Sequence, residues 1–316
     1  MKTLQLPGLQ GHHPLGFLAA CGLLRCCHEW EDFGSVELSW EQSSRDGGFT
    51  AVLHSSTKIN LPTLTQALVC RGKQQRQSAA LNWSSKIDDR ATFREAALAV
   101  LQRSDSSEVR DTLGTFAALA SDIVVTDKGT LRPTLLDLTS GNQRLLTNIR
   151  ALAGEPKGGE GKPRSFTEEA VREALVGPWR YCDDDHALGW DPQTQRLHAL
   201  RHKLPEQDKA NRSVRAAVFL GSQALPLFPC FAVGRQLRTT GFHRDRNGDF
   251  FAWPIWHRAI SLHTLRSLLA HTLNRDLKRR GVRVVYRCQR VRTGGSEGNY
   301  QIFSQPTQWL PSRGVR

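Results

Sequence analysis

Apolar and polar positions divide the chain into three textures. Residues 3–9 (TLQLPGL) read as a short strand ending in a turn. After Gly11-His12-His13-Pro14, the stretch from Leu15 to about His28 is apolar nearly all round. That is the pattern of a buried helix, and Pro14 suits its first turn because a missing N–H costs nothing there. Gly16 and Gly22 would let other backbone approach it closely. Residues 35–41 (SVELSWE) and 49–56 (FTAVLHSS) alternate about a polar, Gly-bearing loop and predict a hairpin. The first 56 residues thus predict a β-α-β-β unit with the apolar helix packed on a small sheet.

The middle of the chain is helical in period. One segment runs from Asn60-Leu61-Pro62 to about Ala80, and residues 91–104 and 106–123 repeat apolar positions every 3.6 residues. Ser140-Gly141-Asn142-Gln143 opens another helix that ends at Gly154. Residues 155–164 (EPKGGEGKPR) hold Gly, Pro and charge, the signature of a linker or exposed loop. They separate an α+β part, 1–154, from a second part, 165–304. Phe166 to Leu175 reads as a short helix with Thr167 as N-cap.

Beyond Pro178 the helical repeats thin out. Ser213 to Leu225 is a predicted helix, stopped by Pro226 and Pro229. Asn247-Gly248 between aromatic runs predicts a hairpin. Residues 262–280 form an amphipathic helix ending at Gly281, and 282–292 alternate as a strand. The tail, 305–316, is expected to be poorly ordered. The fold class is α+β: an N-terminal β-α-β-β unit, a helical middle, and a basic, mixed α/β C-terminal part. No internal repeat is present.

Charge changes the picture. The chain carries a formal net charge of +13. Residues 196–316 hold 22 Lys and Arg against 6 Asp and Glu, a net of +16, whereas residues 1–195 are at −3. An excess confined to one end points to a polyanion, most often nucleic acid. Arg outnumbers Lys there, and its planar fork matches phosphate oxygens and stacks on bases. The seven Cys are irregularly spaced without a C-x-x-C, as expected of reduced cytosolic thiols. Neither a signal-peptide layout nor an apolar run long enough to span a bilayer is present, so the expectation is a soluble, cytoplasmic protein with no membrane partner.

Three basic clusters carry the candidate binding residues. Lys278, Arg279 and Arg280 end the predicted 262–280 helix, and Arg283, Arg287, Arg290 and Arg292 follow on the strand. Cations at a helix C-terminus favour the macrodipole, which accounts for the first three but not for the four on the strand. Arg212 and Arg215 sit at an i, i+3 spacing on one helix face, after Arg201, His202, Lys203 and Lys209. Arg235, Arg238, His243, Arg244 and Arg246 lie on a loop and hairpin rich in aromatics. Aromatics beside Arg suit single strands, whose bases stack. For Phe242, Phe250, Phe251, Trp253 and Trp256, however, a core position is the better reading. Asn142 and Arg144, at a helix start, are weaker candidates for phosphate.

Catalytic and metal signatures are thin. Asp183, Asp184, Asp185 and His186, with Asp191, read better as an acidic solvated loop than as a metal site. Asp245-x-Asn247-Gly248-Asp249 resembles half of a calcium loop, but its twelfth position is Trp256 rather than Glu. His12-His13 beside Cys26-Cys27-His28 lacks zinc spacing. No Walker, Rossmann, G-x-S-x-G, H-E-x-x-H or HNH pattern occurs, so the sequence assigns no catalytic residue, metal or cofactor.

Several segments carry a resemblance. LPGLQGHHPLGFLAACGLLRCC at the start, followed by VELSW, resembles the N-terminus of certain CRISPR-associated effector subunits. So do LDLTSGNQRLLTNIRAL (136–152), ALVGPWRY (174–181), LGWDPQTQRLHAL (188–200) and ALPLFPC (224–230). Together they look like the type I-G (formerly I-U) proteins and their large-subunit-like relatives, in patches over residues 4–256. The chain is short for a full large subunit, and no catalytic histidine for guide processing carries over. The resemblance implies a non-catalytic, nucleic-acid-binding subunit of a Cascade-type, RNA-guided antiviral complex. Its partners would be crRNA and/or target DNA, other CRISPR effector subunits and a helicase-nuclease. The competing reading is a metal-dependent nuclease of a prokaryotic defence system, with the acidic loop or His243 as its chemistry.

Overall fold

The computed structural model describes residues 1–43, 47–75, 89–103, 106–139, 145–154, 166–183, 188–194, 212–271, 275–293 and 300–309. The N-terminal unit forms as its pattern predicts: β1 (Lys2–Gln10), α1 (Pro14–His28), β2 (Val36–Gln42) and β3 (Phe49–Ser55). β3 pairs antiparallel with both β1 and β2. Pro14 occupies the first turn of α1, and the His13 ring accepts a hydrogen bond from the Gly16 N–H at 3.3 Å, capping the helix. Every residue of α1 from Pro14 to Cys27 is buried. Phe17 stacks on Trp40 of β2, with ring centroids 6.0 Å apart. A large apolar side chain buried in this way contributes about 1.5–3 kcal/mol.

The middle elements are α2 (Leu61–Gln75), α3 (Arg90–Leu101), α4 (Ser107–Leu119), β4 (Ala120–Val125), β5 (Leu131–Pro133), α5 (Leu145–Leu152) and α6 (Glu168–Val176). Side-chain caps fix several starts: Asn60 accepts from the Thr63 N–H, Asp89 from Ala91 and Thr92, and Thr167 from Ala170. The helix expected over 106–123 stops at Leu119, and the chain turns into an antiparallel β4–β5 hairpin. The expected linker at 155–164 lies outside the described residues.

The C-terminal elements are α7 (Arg215–Gln223), β6 (Cys230–Val233), β7 (Gln236–Thr239), β8 (Phe242–Asp245), β9 (Gly248–Trp256), β10 (Ile260–Ser261), α8 (Leu262–Ala270), β11 (Val282–Thr293), β12 (Tyr300–Phe303) and β13 (Thr307–Trp309). Asn247-Gly248 makes the expected β8–β9 hairpin, where Asp245 accepts from the Asn247 N–H at 2.7 Å. The helix expected over 262–280 is shorter. α8 ends at Ala270, and Arg275–Arg280 form a separate 3-10 segment with a non-helical Asp276. β13 lies within the expected loose tail, yet it pairs with β11 and buries Trp309.

The larger sheets run β1-β3-β2-β10 and β12-β11-β9-β8, with β13 also on β11. One hydrophobic core joins the parts on either side of 155–164. α1 packs on α7 so closely that a Cβ on Gly22 would overlap the Leu220 carbonyl. Trp253 of β9 donates to the Gly11 carbonyl at 2.7 Å, and Trp256 to that of Leu38 at 2.8 Å. β10 carries the chain from the second sheet into the first. Among the described residues no helix is long and apolar enough to cross a membrane.

Candidate nucleic-acid interface

The candidate cations divide by burial into two sets. Arg235, Arg244, Lys278, Arg279, Arg280 and Arg283 are exposed, as are Arg246 and Arg292. Lys278–Arg280 project from the 3-10 segment, and Gly281, at φ +83°, turns the chain into β11, where Arg283 sits. His257 Nδ1 lies 3.1 Å from the Gly281 carbonyl, which fastens this corner to the end of β9. Arg258 beside it is exposed as well. Lys278–Arg280, Arg283 and Arg258 form a basic end to the second sheet, where β9 finishes and β11 begins, whereas Arg244 and Arg246 lie at its other end, by the β8–β9 turn. None of Arg235, Arg244, Lys278, Arg279, Arg280 and Arg283 has an ion-pair partner among the described residues.

The second set holds the fold together. Arg215 is 6% exposed, donates from Nε and Nη2 to the Leu152 carbonyl and from Nη2 to that of Ala151, and lies 4.7 Å from the Phe166 ring centroid. It ties the C-terminus of α5 to α7, so its guanidinium is spent on backbone rather than offered to phosphate. Arg212 does not share its helix, because α7 begins at Arg215. Arg290 is half-buried and donates to the Asp137 carbonyl at 2.7 Å. Burial pushes its pKa below the ordinary arginine value, opposed by Asp137 and Asp249. Arg287 lies between these sets: its guanidinium carbon is 4.5 Å from the Phe250 centroid and 5.6 Å from that of Trp309, and Nη1 is 3.5 Å from Asp245. Arg238, half-exposed on β7, is parted from Arg244 by the turn at Thr240-Gly241. Asn142 and Arg144 lie outside the described residues, as do Arg201, His202, Lys203 and Lys209.

The aromatic residues Phe242, Phe250, Phe251, Trp253 and Trp256 are core, as their pattern suggested, each no more than 8% exposed. His243 is buried with them, stacked 4.4 Å from Trp309 and 5.4 Å from Phe250. Burial, then the Arg287 charge, push its pKa down to about 4. Neither ring nitrogen has a hydrogen-bond partner among the described residues. A base so weak and so enclosed has no route to a substrate proton.

A pair the sequence concealed joins residues 178 apart: His13 Nε2 is 3.0 Å from Asp191 Oδ1, and both are buried. The arrangement resembles a catalytic dyad, but His13 Nδ1 already accepts from the Gly16 N–H, so Nε2–H donates the hydrogen bond to Asp191. Both nitrogens are occupied, and the pair pins the start of α1 to the 188–194 segment. Asp183 is also engaged, accepting from the Arg215 N–H at 2.8 Å. Asp184, Asp185 and His186 lie outside the described residues. Among those described, no three His, Cys, Asp or Glu side chains converge as metal ligands.

Sequence reasoning overlooked Phe231 on β6, which is 48% exposed. A signal was present: Phe231 and Val233 alternate ahead of Gly234, the pattern of a hairpin arm. A scan against protein-family models finds no match for the chain, and a search of curated proteins finds none either.

Proposed function

We propose that this chain is a non-catalytic, nucleic-acid-binding subunit of an RNA-guided, Cascade-type CRISPR effector complex, contacting guide RNA, target DNA or both. The observation that carries the binding role is the group of exposed cations, without ion-pair partners among the described residues, at the 3-10 corner of the second sheet: Lys278, Arg279, Arg280 and Arg283. Exposed cations without carboxylate neighbours repel one another and gain most by replacing counterions along a phosphate backbone. Lys278–Arg280 lie on a 3-10 segment and Arg283 on the strand that follows it, a corner fastened by His257 at the Gly281 carbonyl, which gives phosphate contacts a fixed register.

The assignment to a CRISPR complex rests on the sequence resemblance, and the geometry is compatible with it. In such complexes base pairing reads sequence while protein reads shape and backbone, a task for unpaired arginines rather than for a catalytic centre. Partners in this reading are crRNA or target DNA, neighbouring effector subunits and a helicase-nuclease.

The test is a salt titration of binding to labelled single-stranded RNA, single-stranded DNA and duplex DNA, with and without magnesium. Salt-steep binding with intact probe is expected. Cleaved probe would replace the proposal with the nuclease reading, and absence of binding at every salt concentration would overturn it.

A further inference from the structure

Among the described residues Phe231, at 48%, is the most exposed Phe, Trp or Tyr side chain. In the β6–β7 register it stands directly opposite Arg238, and Val233 stands opposite Gln236. Opposed residues of an antiparallel pair project from the same face, about 4.5–5.5 Å apart at Cβ. Phe231, Val233, Gln236 and Arg238 therefore share one face of the hairpin.

The other face is committed. Thr239 is 1% exposed and accepts from the Leu135 N–H at 3.0 Å, and Cys230 donates to the Ala118 carbonyl at 3.4 Å. These bonds hold the hairpin against the α4–β4–β5 region with its Phe231 face outward. At the tip Gly234 has φ +58°, and a Cβ there would meet nothing within 4 Å, so the tip stands clear of the body. Arg235 is exposed at that tip. Neither Arg235 nor Arg238 has an ion-pair partner among the described residues.

We propose that Phe231, Arg238 and Arg235 form a stacking site for an unpaired base of single-stranded nucleic acid. The base lies on the Phe231 ring beside Val233, and Arg238, directly across the ladder, meets the adjoining phosphate. Arg235 at the tip extends the same cationic track. An aromatic face accepts any base, and the cations beside it follow the backbone, so such a site binds a strand irrespective of sequence. The unneutralised arginines give this face the charge that a polyanion matches. This inference deepens the nucleic-acid reading above and rests on it.

The experiment is fluorescence anisotropy of the full chain with a labelled oligothymidylate and with an abasic strand of equal length, across salt. Phe231→Ala is expected to weaken binding of the base-bearing strand roughly five- to hundredfold. It should leave the abasic strand within about twofold and the salt slope unchanged, and Phe231→Trp should restore binding. Arg238→Gln should weaken both strands and lower the salt slope by about 0.7. Wild-type binding that Phe231→Ala does not weaken would overturn the stacking site, leave the nucleic-acid reading standing, and give this face to a protein partner. Equal weakening of both strands by Phe231→Ala, or no rescue by Phe231→Trp, would also overturn it. Absence of wild-type binding to any nucleic acid would overturn both readings.

Discussion

Arginines serve opposite purposes at the junction of α1, α2 and α4 and at the basic end of the second sheet. At the junction Arg25, 3% exposed, meets Glu29 at 3.0 Å and Asp111. Arg71 meets the same two carboxylates at 3.0 and 3.5 Å and reaches Gln223 at 3.3 Å. Each cation there is matched and the set is largely desolvated, so it ties three helices to α7. At the sheet end Arg279, Arg280 and Arg283 face solvent with no matching carboxylate among the described residues. Residue type alone does not tell a strut from a contact. Burial and the presence of a partner do, and by that measure Arg215 and Arg290 belong with the struts although they lie in the basic part of the chain.

The contrast breaks most visibly if the junction charges are dispensable. Asp111→Ala leaves Arg25 buried with Glu29 alone, and a loss of about 3 kcal/mol in urea unfolding is expected. A change under about 0.5 kcal/mol would place the network among ordinary surface pairs.

Acid should expose a comparable effect at His243. Its folded pKa, about 4, lies below the unfolded value near 6.5, so the unfolded state takes up the proton first. The stability this group contributes is whole above about pH 6.5 and falls by about 3 kcal/mol as pH drops towards 4. His243→Phe keeps the stack with Trp309 and Phe250 and should flatten that part of the unfolding profile. An unchanged pH dependence would assign the acid loss to other groups.

Arg215→Gln should cost about 2 kcal/mol through the lost carbonyl bonds, with no change in the salt slope of nucleic-acid binding. Arg279→Ala, Arg280→Ala and Arg283→Ala together should move stability least, within about 0.5 kcal/mol. A large stability loss in that triple variant would make these cations struts too.

Much of the fold was legible because it is written in local period. The apolar run of α1, the alternation of β2 and β3 and the Asn247-Gly248 turn each declared an element that formed. What stayed hidden was short or non-local. β5 has three residues and ends in Pro133, too few for a period, and β6 follows two prolines that read only as a helix stop. β10 exists because it meets β2 across more than 200 residues, and β13 because β11 offers an edge. The site shows the same limit. The charge excess is additive along the chain and could be counted, but burial is not: Arg212 and Arg215 looked equivalent until α7 began between them. The hairpin aromatics are core, as their pattern suggested, while Phe231, which sequence reasoning overlooked, faces out because Cys230 and Thr239 take the inward side of its hairpin.

The central claim, that unmatched cations at the end of the second sheet bind a phosphate backbone, is tested most directly by the salt dependence of duplex and single-strand binding in wild type and in the Arg279→Ala, Arg280→Ala, Arg283→Ala variant. The account predicts steep wild-type slopes that fall in the variant by about 0.9 per lost contact on duplex and about 0.7 on single strands, with unfolding unchanged. Equal slopes and affinities in the two proteins would contradict it.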